Sequence, residues 1–151
     1  MEKLKILFAC TGNACRSQMA EGWARHLKDD LIEPHSAGVM ASGLDPRAVR
    51  VMEEAEVDIS KQKSKTMKSL RRQAFDAVIA FSMHAHLNQP TFKGKPSVFV
   101  VEIDDPPSLA MSARSDEEIL NHYRRVRDEI RHVVEHLPES LWDAEHHEPD
   151  R

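Results

Sequence analysis

Cys10-Thr11-Gly12-Asn13-Ala14-Cys15-Arg16-Ser17 is the stretch on which the reading of this chain turns. Before it runs Leu4 to Ala9, a continuous apolar segment of the kind that forms a buried strand. After it, Gln18 to Lys28 places Met19, Ala20, Trp23, Ala24 and Leu27 at helical spacing. The unit is therefore strand, loop, helix, with a thiol at the strand's carboxyl end, where open α/β sheets place their ligands. Gly12 and Asn13 tolerate unusual backbone angles, so the loop can curl and turn successive N–H groups of Thr11, Gly12, Asn13, Ala14, Cys15 and Arg16 inward. Such a nest at a helix N-terminus binds anions, and the Arg16 guanidinium can close it with a bidentate grip.

The same surroundings favour thiolate over thiol at Cys10 and make it the candidate nucleophile. Ser17 can hydrogen-bond its sulfur. A nucleophilic sulfur under an anion cup suits attack on a tetrahedral oxyanion such as phosphate or arsenate. The competing reading, a structural cysteine on a turn, explains neither the Gly-Asn pair nor the arginine.

At 151 residues the chain is sized for one domain with its own core. A net charge of −4 offers no argument for nucleic acid or an anionic membrane. No apolar run approaches the length of a membrane span, and the first residues read as a strand rather than a leader, so a cytoplasmic monomer is expected. The two cysteines both lie in the loop, which fits chemical use in a reducing compartment.

Along the chain, Ile32 to Ser36 is a second-strand candidate. Asp45-Pro46 marks a helix start. Ser64 to Gln73 reads as a basic, helix-like stretch. Ala74 to Phe81 and Pro96 to Ile103 are further strands, apolar enough to suggest a parallel sheet covered on both faces, with a long polar connection, Ser82 to Lys95, between them. Ser115 and Glu118 form a capping box for a long helix that Pro138 ends. The expectation is a single catalytic domain over 1–138, with a loose polar tail over 139–151. Alternating strands and helices imply a doubly wound, three-layer α/β parallel sheet. Asp104-Asp105-Pro106-Pro107 follows the fourth strand at the sheet edge that carries Cys10, where a carboxyl could protonate a leaving oxygen. His132 and His136, or His84 and His86, could share a metal, but no third ligand falls at a suitable spacing, so neither a metal nor a cofactor is expected.

Cys10 to Ser17, continued by Gln18-Met19-Ala20-Glu21, resembles the active loop of the low-molecular-weight protein tyrosine phosphatases. With Gln18 where the phosphatases carry proline, it is most similar to their thioredoxin-coupled arsenate reductase branch. Ser36-Ala37-Gly38, Asp58-Ile59-Ser60 and Arg125 to Ile130 also match. The resemblance implies a four-stranded flavodoxin-like sheet of order 2-1-3-4, Cys10 as nucleophile and Asp105 as general acid. In some reductases of this branch a potassium ion involves residues matching Asn13, Glu21, Ser36 and an acid at position 65. Here position 65 is lysine, so its ammonium is expected in place of the ion. The branch also carries two relay cysteines, at positions that here hold Ser82 and Gln89. Three functions follow. The first is arsenate reduction, completed by Cys15 or by an external thiol with thioredoxin- or glutaredoxin-type help. The second is hydrolysis of phosphotyrosine-type monoesters through a phosphocysteine. The third is a non-catalytic anion-binding or redox-sensing module.

Overall fold

The computed structural model describes residues 2–146, with side chains to residue 142. Four strands, β1 (Leu4–Cys10), β2 (Ile32–Gly38), β3 (Ala77–Ala80) and β4 (Ser97–Val100), pair in parallel in the order β2-β1-β3-β4. This is the expected topology. Between and after them lie helices α1 (Arg16–Leu27), α2 (Pro46–Glu54), α3 (Met83–Leu87), α4 (Pro106–Ala110), α5 (Asp116–Glu135) and α6 (Glu139–His146).

The pleat of β1 divides the interior in two. Ile6 and Phe8 point into a large cluster with Met19 and Trp23 of α1, Met52 of α2 and Tyr123, Val126 and Ile130 of α5. Leu7 and Ala9 point the other way, into a smaller cluster closed by Met67, Phe75, Ala85 and Phe92. Fully burying a side chain such as Phe8 or Ile6 stabilises the fold by about 1.5–3 kcal/mol relative to leaving it in water. Helix α5 is tied to α1 by the Trp23 indole, which donates to the Arg127 carbonyl at 3.1 Å, and by Arg131 stacked 4.9 Å over the same ring. Helix α2 starts as Asp45-Pro46 dictates: the Asp45 carboxylate accepts from the Arg47 amide at 2.9 Å. Ser115 caps α5 by accepting from the Glu118 amide at 3.1 Å, while the Glu118 carboxylate accepts from the Arg114 amide.

Four expectations need correction. The sheet is covered on both faces at β1 and β3, but β4 is an edge strand with Val98 exposed, because no fifth strand follows it among the described residues. Ser64 to Gln73 is not a helix beyond one 3₁₀ turn, Met67–Leu70. Its backbone is engaged elsewhere: the Lys65 carbonyl accepts from Gly38, and the Lys65 amide donates to the Asn13 side chain. The connection after β3 contains α3, with Ser82 as N-cap accepting from the Ala85 amide at 3.1 Å. The stretch read as a loose tail begins with α6. No helix among the described residues is long and apolar enough to cross a membrane.

Candidate active site

The loop between β1 and α1 is held open by its carbonyls. Those of Cys10, Thr11, Gly12 and Ala14 accept, in turn, from the amides of Val39, Met40, Ser42 and Asp45 at 2.9–3.1 Å. The Asn13 carbonyl accepts from the Gln18 side chain at 3.0 Å and that of Cys15 from the Met19 amide at 2.9 Å. Every carbonyl from 10 to 15 is thus drawn away from the centre. Among the described residues, the N–H groups of Gly12, Asn13, Ala14 and Cys15 have no protein acceptor. This is the nest expected from the sequence, and an anion is its natural occupant. Asn13 takes the left-handed turn, at φ 49°. Gly38 lets the end of β2 pass beneath: a Cβ there would lie 2.6 Å from the Asn13 nitrogen and 2.5 Å from the Met40 carbonyl oxygen.

Cys10 lies buried at the base. Its sulfur is 2.8 Å from Ser17 Oγ, which is also 2.8 Å from the Asn13 side-chain amide. Asn13 can only donate in that pair, so the serine proton is directed at the sulfur, the arrangement that serves an anionic nucleophile. Arg16 is fixed from behind. One terminal nitrogen donates to the carbonyls of Phe81 at 3.3 Å and Ile103 at 2.9 Å, and the other lies 3.6 Å from the Asp105 carboxylate. Its Nε is buried and has no partner in the protein. A buried unsatisfied donor costs about 1–3 kcal/mol; an oxyanion in the cup would satisfy it. The loop residues, Ser42, Asp105 and Pro107 line one cleft of about 290 Å³. Asp105 is held there by Ser108, whose hydroxyl donates to it at 2.8 Å, and neighbouring Asp104 is paired with Arg125 of α5 at 3.2 Å.

Cys15 sits on the same loop but in a different setting. It is buried among apolar side chains, and burial, followed by the nearby Asp45 carboxylate, pushes its thiol well above the usual range. The Lys65 ammonium donates to the Lys63 carbonyl at 2.9 Å and lies 4.0 Å from Glu21, whose carboxylate accepts from Ser36 at 2.6 Å. The His132 and His136 rings lie 4.4 Å apart, tilted by 54°, and among the described residues no three His, Cys, Asp or Glu side chains are grouped to hold a metal.

Three contacts at the site escape sequence reasoning. Thr11 Oγ1 lies 3.2 Å from His84 Nδ1, Gln62 donates to the Gln18 side chain at 2.8 Å, and the Tyr123 hydroxyl donates to Asp45 at 2.5 Å. Each joins distant parts of the chain by ordinary polar residues. Only Gln18, standing where proline would end the network, gave a signal.

The model for "Low molecular weight phosphotyrosine protein phosphatase" matches residues 5–146. An arsenate reductase of Halalkalibacterium halodurans is 42% identical over 130 residues, 86% of this chain and 91% of its own. The solved structure described as "An arsenate reductase in oxidized state" superposes with a TM-score of 0.75 at 30% identity, over 91% of this chain and 98% of that one. Another, "An arsenate reductase in the phosphate binding state", has a TM-score of 0.68 at 30% identity, over 89% and 95%. By sequence and fold this chain belongs to the low molecular weight phosphotyrosine protein phosphatase family.

Proposed function

We propose that this arsenate reductase-like enzyme reduces arsenate through Cys10 and completes the reduction with Cys15, without a cysteine pair on the segment after β3. The observation that carries the reading is that both thiols of the chain lie on the anion loop. At position 82 the Ser82 side chain caps α3, and position 89 is glutamine. The Cys10 thiolate attacks arsenic in the cup, an As–O bond breaks, and Asp105 protonates the departing oxygen. The Cys15 sulfur then attacks Cys10 Sγ. The S–As bond breaks with its electron pair going to arsenic, so As(V) leaves as As(III) arsenite and a Cys10–Cys15 disulfide remains. The Cys15 proton must be shed in this step, which its raised thiol makes slow near neutral pH. An external thiol, of glutathione, mycothiol or redoxin type, reduces the disulfide and closes the cycle.

The test is an arsenate turnover assay with glutathione, mycothiol or thioredoxin as sole reductant, run beside hydrolysis of an aryl phosphate. Cys15→Ala is expected to abolish multiple turnover with a dithiol reductant, and mass spectrometry after one turnover of the parent should find a Cys10–Cys15 linkage. Unchanged turnover in Cys15→Ala would overturn the resolving role.

Hydrolysis is the second reading, favoured by the absence of cysteine from positions 82 and 89. It shares every step up to the covalent adduct, after which water activated by Asp105 attacks the phosphocysteine. Rapid aryl-phosphate hydrolysis with no arsenate turnover under any reductant would select it. In either case Asp105→Asn should slow substrates with poor leaving groups by about a hundredfold or more and good ones far less, because only the former need the proton. Equal losses across a leaving-group series would make Asp105 structural.

A further inference from the structure

The turn after β2 brings one more polar side chain to the cup. The Ser42 amide donates to the Gly12 carbonyl at 2.9 Å. Ser64 Oγ donates to the same carbonyl at 3.3 Å and accepts from the Gly43 amide at 3.2 Å. Ser42 is thereby pinned against the anion loop. The fit is close: a Cβ at position 12 would lie 2.8 Å from Ser42 Oγ, so glycine leaves the room that this hydroxyl takes. Ser42 is exposed and lines the cleft whose base is the buried Cys10, which puts it at the mouth. Among the described residues its hydroxyl has no hydrogen-bond partner in the protein. None of the side chains lining the cleft is aromatic.

We propose that Ser42 is a substrate-binding residue: it takes the fourth oxygen of a bare tetrahedral oxyanion and makes the cleft selective for inorganic oxyanions over derivatives in which that position is bonded to, or replaced by, carbon. The inference rests on the reading of the cup as the oxyanion site. In-line attack from Cys10 has three oxygens facing the nest and Arg16, while the fourth points away from the sulfur, toward the mouth. In arsenate or phosphate that atom is a free oxygen or a hydroxyl. A serine hydroxyl donates to the first and accepts from the second, so it pairs with the anion in either protonation state. In a monoester the same atom bridges to carbon. It has no proton to give, and the organic group extends into the mouth where Ser42 lies. An aryl group there gains most by packing on another ring, and the lining offers none. The bonds among Gly12, Ser42, Gly43 and Ser64 fix the residue before the anion arrives, so little freedom is lost on binding.

The test compares two probes that differ at that one atom: inorganic phosphate, and methylphosphonate, in which a methyl group replaces the fourth oxygen and no ester bond can be cleaved. Their affinities for the full chain are read by titration calorimetry at a single pH. No reductant and no arsenate turnover enter the measurement, so failure here is separate from failure of the arsenate reading. Ser42→Ala is expected to weaken phosphate about three- to tenfold, the worth of one hydrogen bond, and to leave methylphosphonate unchanged. The preference of the parent for phosphate over methylphosphonate should fall by the same factor. Equal weakening of both anions would make Ser42 a support of the loop and overturn the proposal, as would an unchanged phosphate affinity. A parent chain that binds neither anion would overturn the cup as the oxyanion site, and the inference with it.

Discussion

Cys10→Ser is expected to abolish both arsenate turnover and aryl-phosphate hydrolysis, a loss of about 10⁴-fold or more. The substitution is nearly isosteric, so the nest, the Arg16 anchors and the cleft should survive it, and thermal unfolding should change little. What disappears is the sulfur nucleophile; a serine hydroxyl in the same place has no base to take its proton. Oxyanion affinity, measured by phosphate or arsenate protection against unfolding, should persist. A variant retaining half of the parent activity would show that the sulfur at the base of the cup is not the attacking atom, whatever its neighbours suggest.

Arg16→Lys should be nearly as damaging, costing about a hundredfold or more in rate. The side chain does three things from one plane: it donates backward to Phe81 and Ile103, lies beside Asp105 and keeps a buried Nε without a protein partner. A lysine ammonium is a point charge on a flexible stem and cannot face both ways. Phosphate affinity should fall together with the rate, because the same fork holds ground state and transition state. An Arg16→Lys variant with unchanged phosphate affinity would count against the cup as the binding site.

How much of this was legible beforehand divides along the range of the contacts. The β1–loop–α1 unit, the α2 start at Asp45-Pro46 and the Ser115–Glu118 cap are local, each set by residues within a few positions, and the structure has them where the chain places them. The strand order followed from resemblance, not from periodicity. The basic stretch after Ser64 misled because helical composition was visible, whereas the claims of Gly38 and Asn13 on the backbone of Lys65 were not. The same holds at the site. Cys10, Ser17 and Arg16 lie within one loop and could be assembled on paper. Thr11 with His84, Gln18 with Gln62 and Asp45 with Tyr123 could not, since nothing in a threonine, a glutamine or a tyrosine announces a partner dozens of residues away.

Helix α5 has a consequence of another kind. It supplies Tyr123 to Asp45, Arg125 to the residue beside the acid, and the Arg127 carbonyl to Trp23 of α1. The cup is written in the first seventeen residues, but three of the supports around it are made more than a hundred residues later. During synthesis the loop leaves the ribosome long before these contacts exist, and the nucleophile spends that interval without the frame that orients it. Such late, long-range closure slows the final step of folding, and it makes the appearance of activity a clock for completion of the chain rather than for emergence of the active loop.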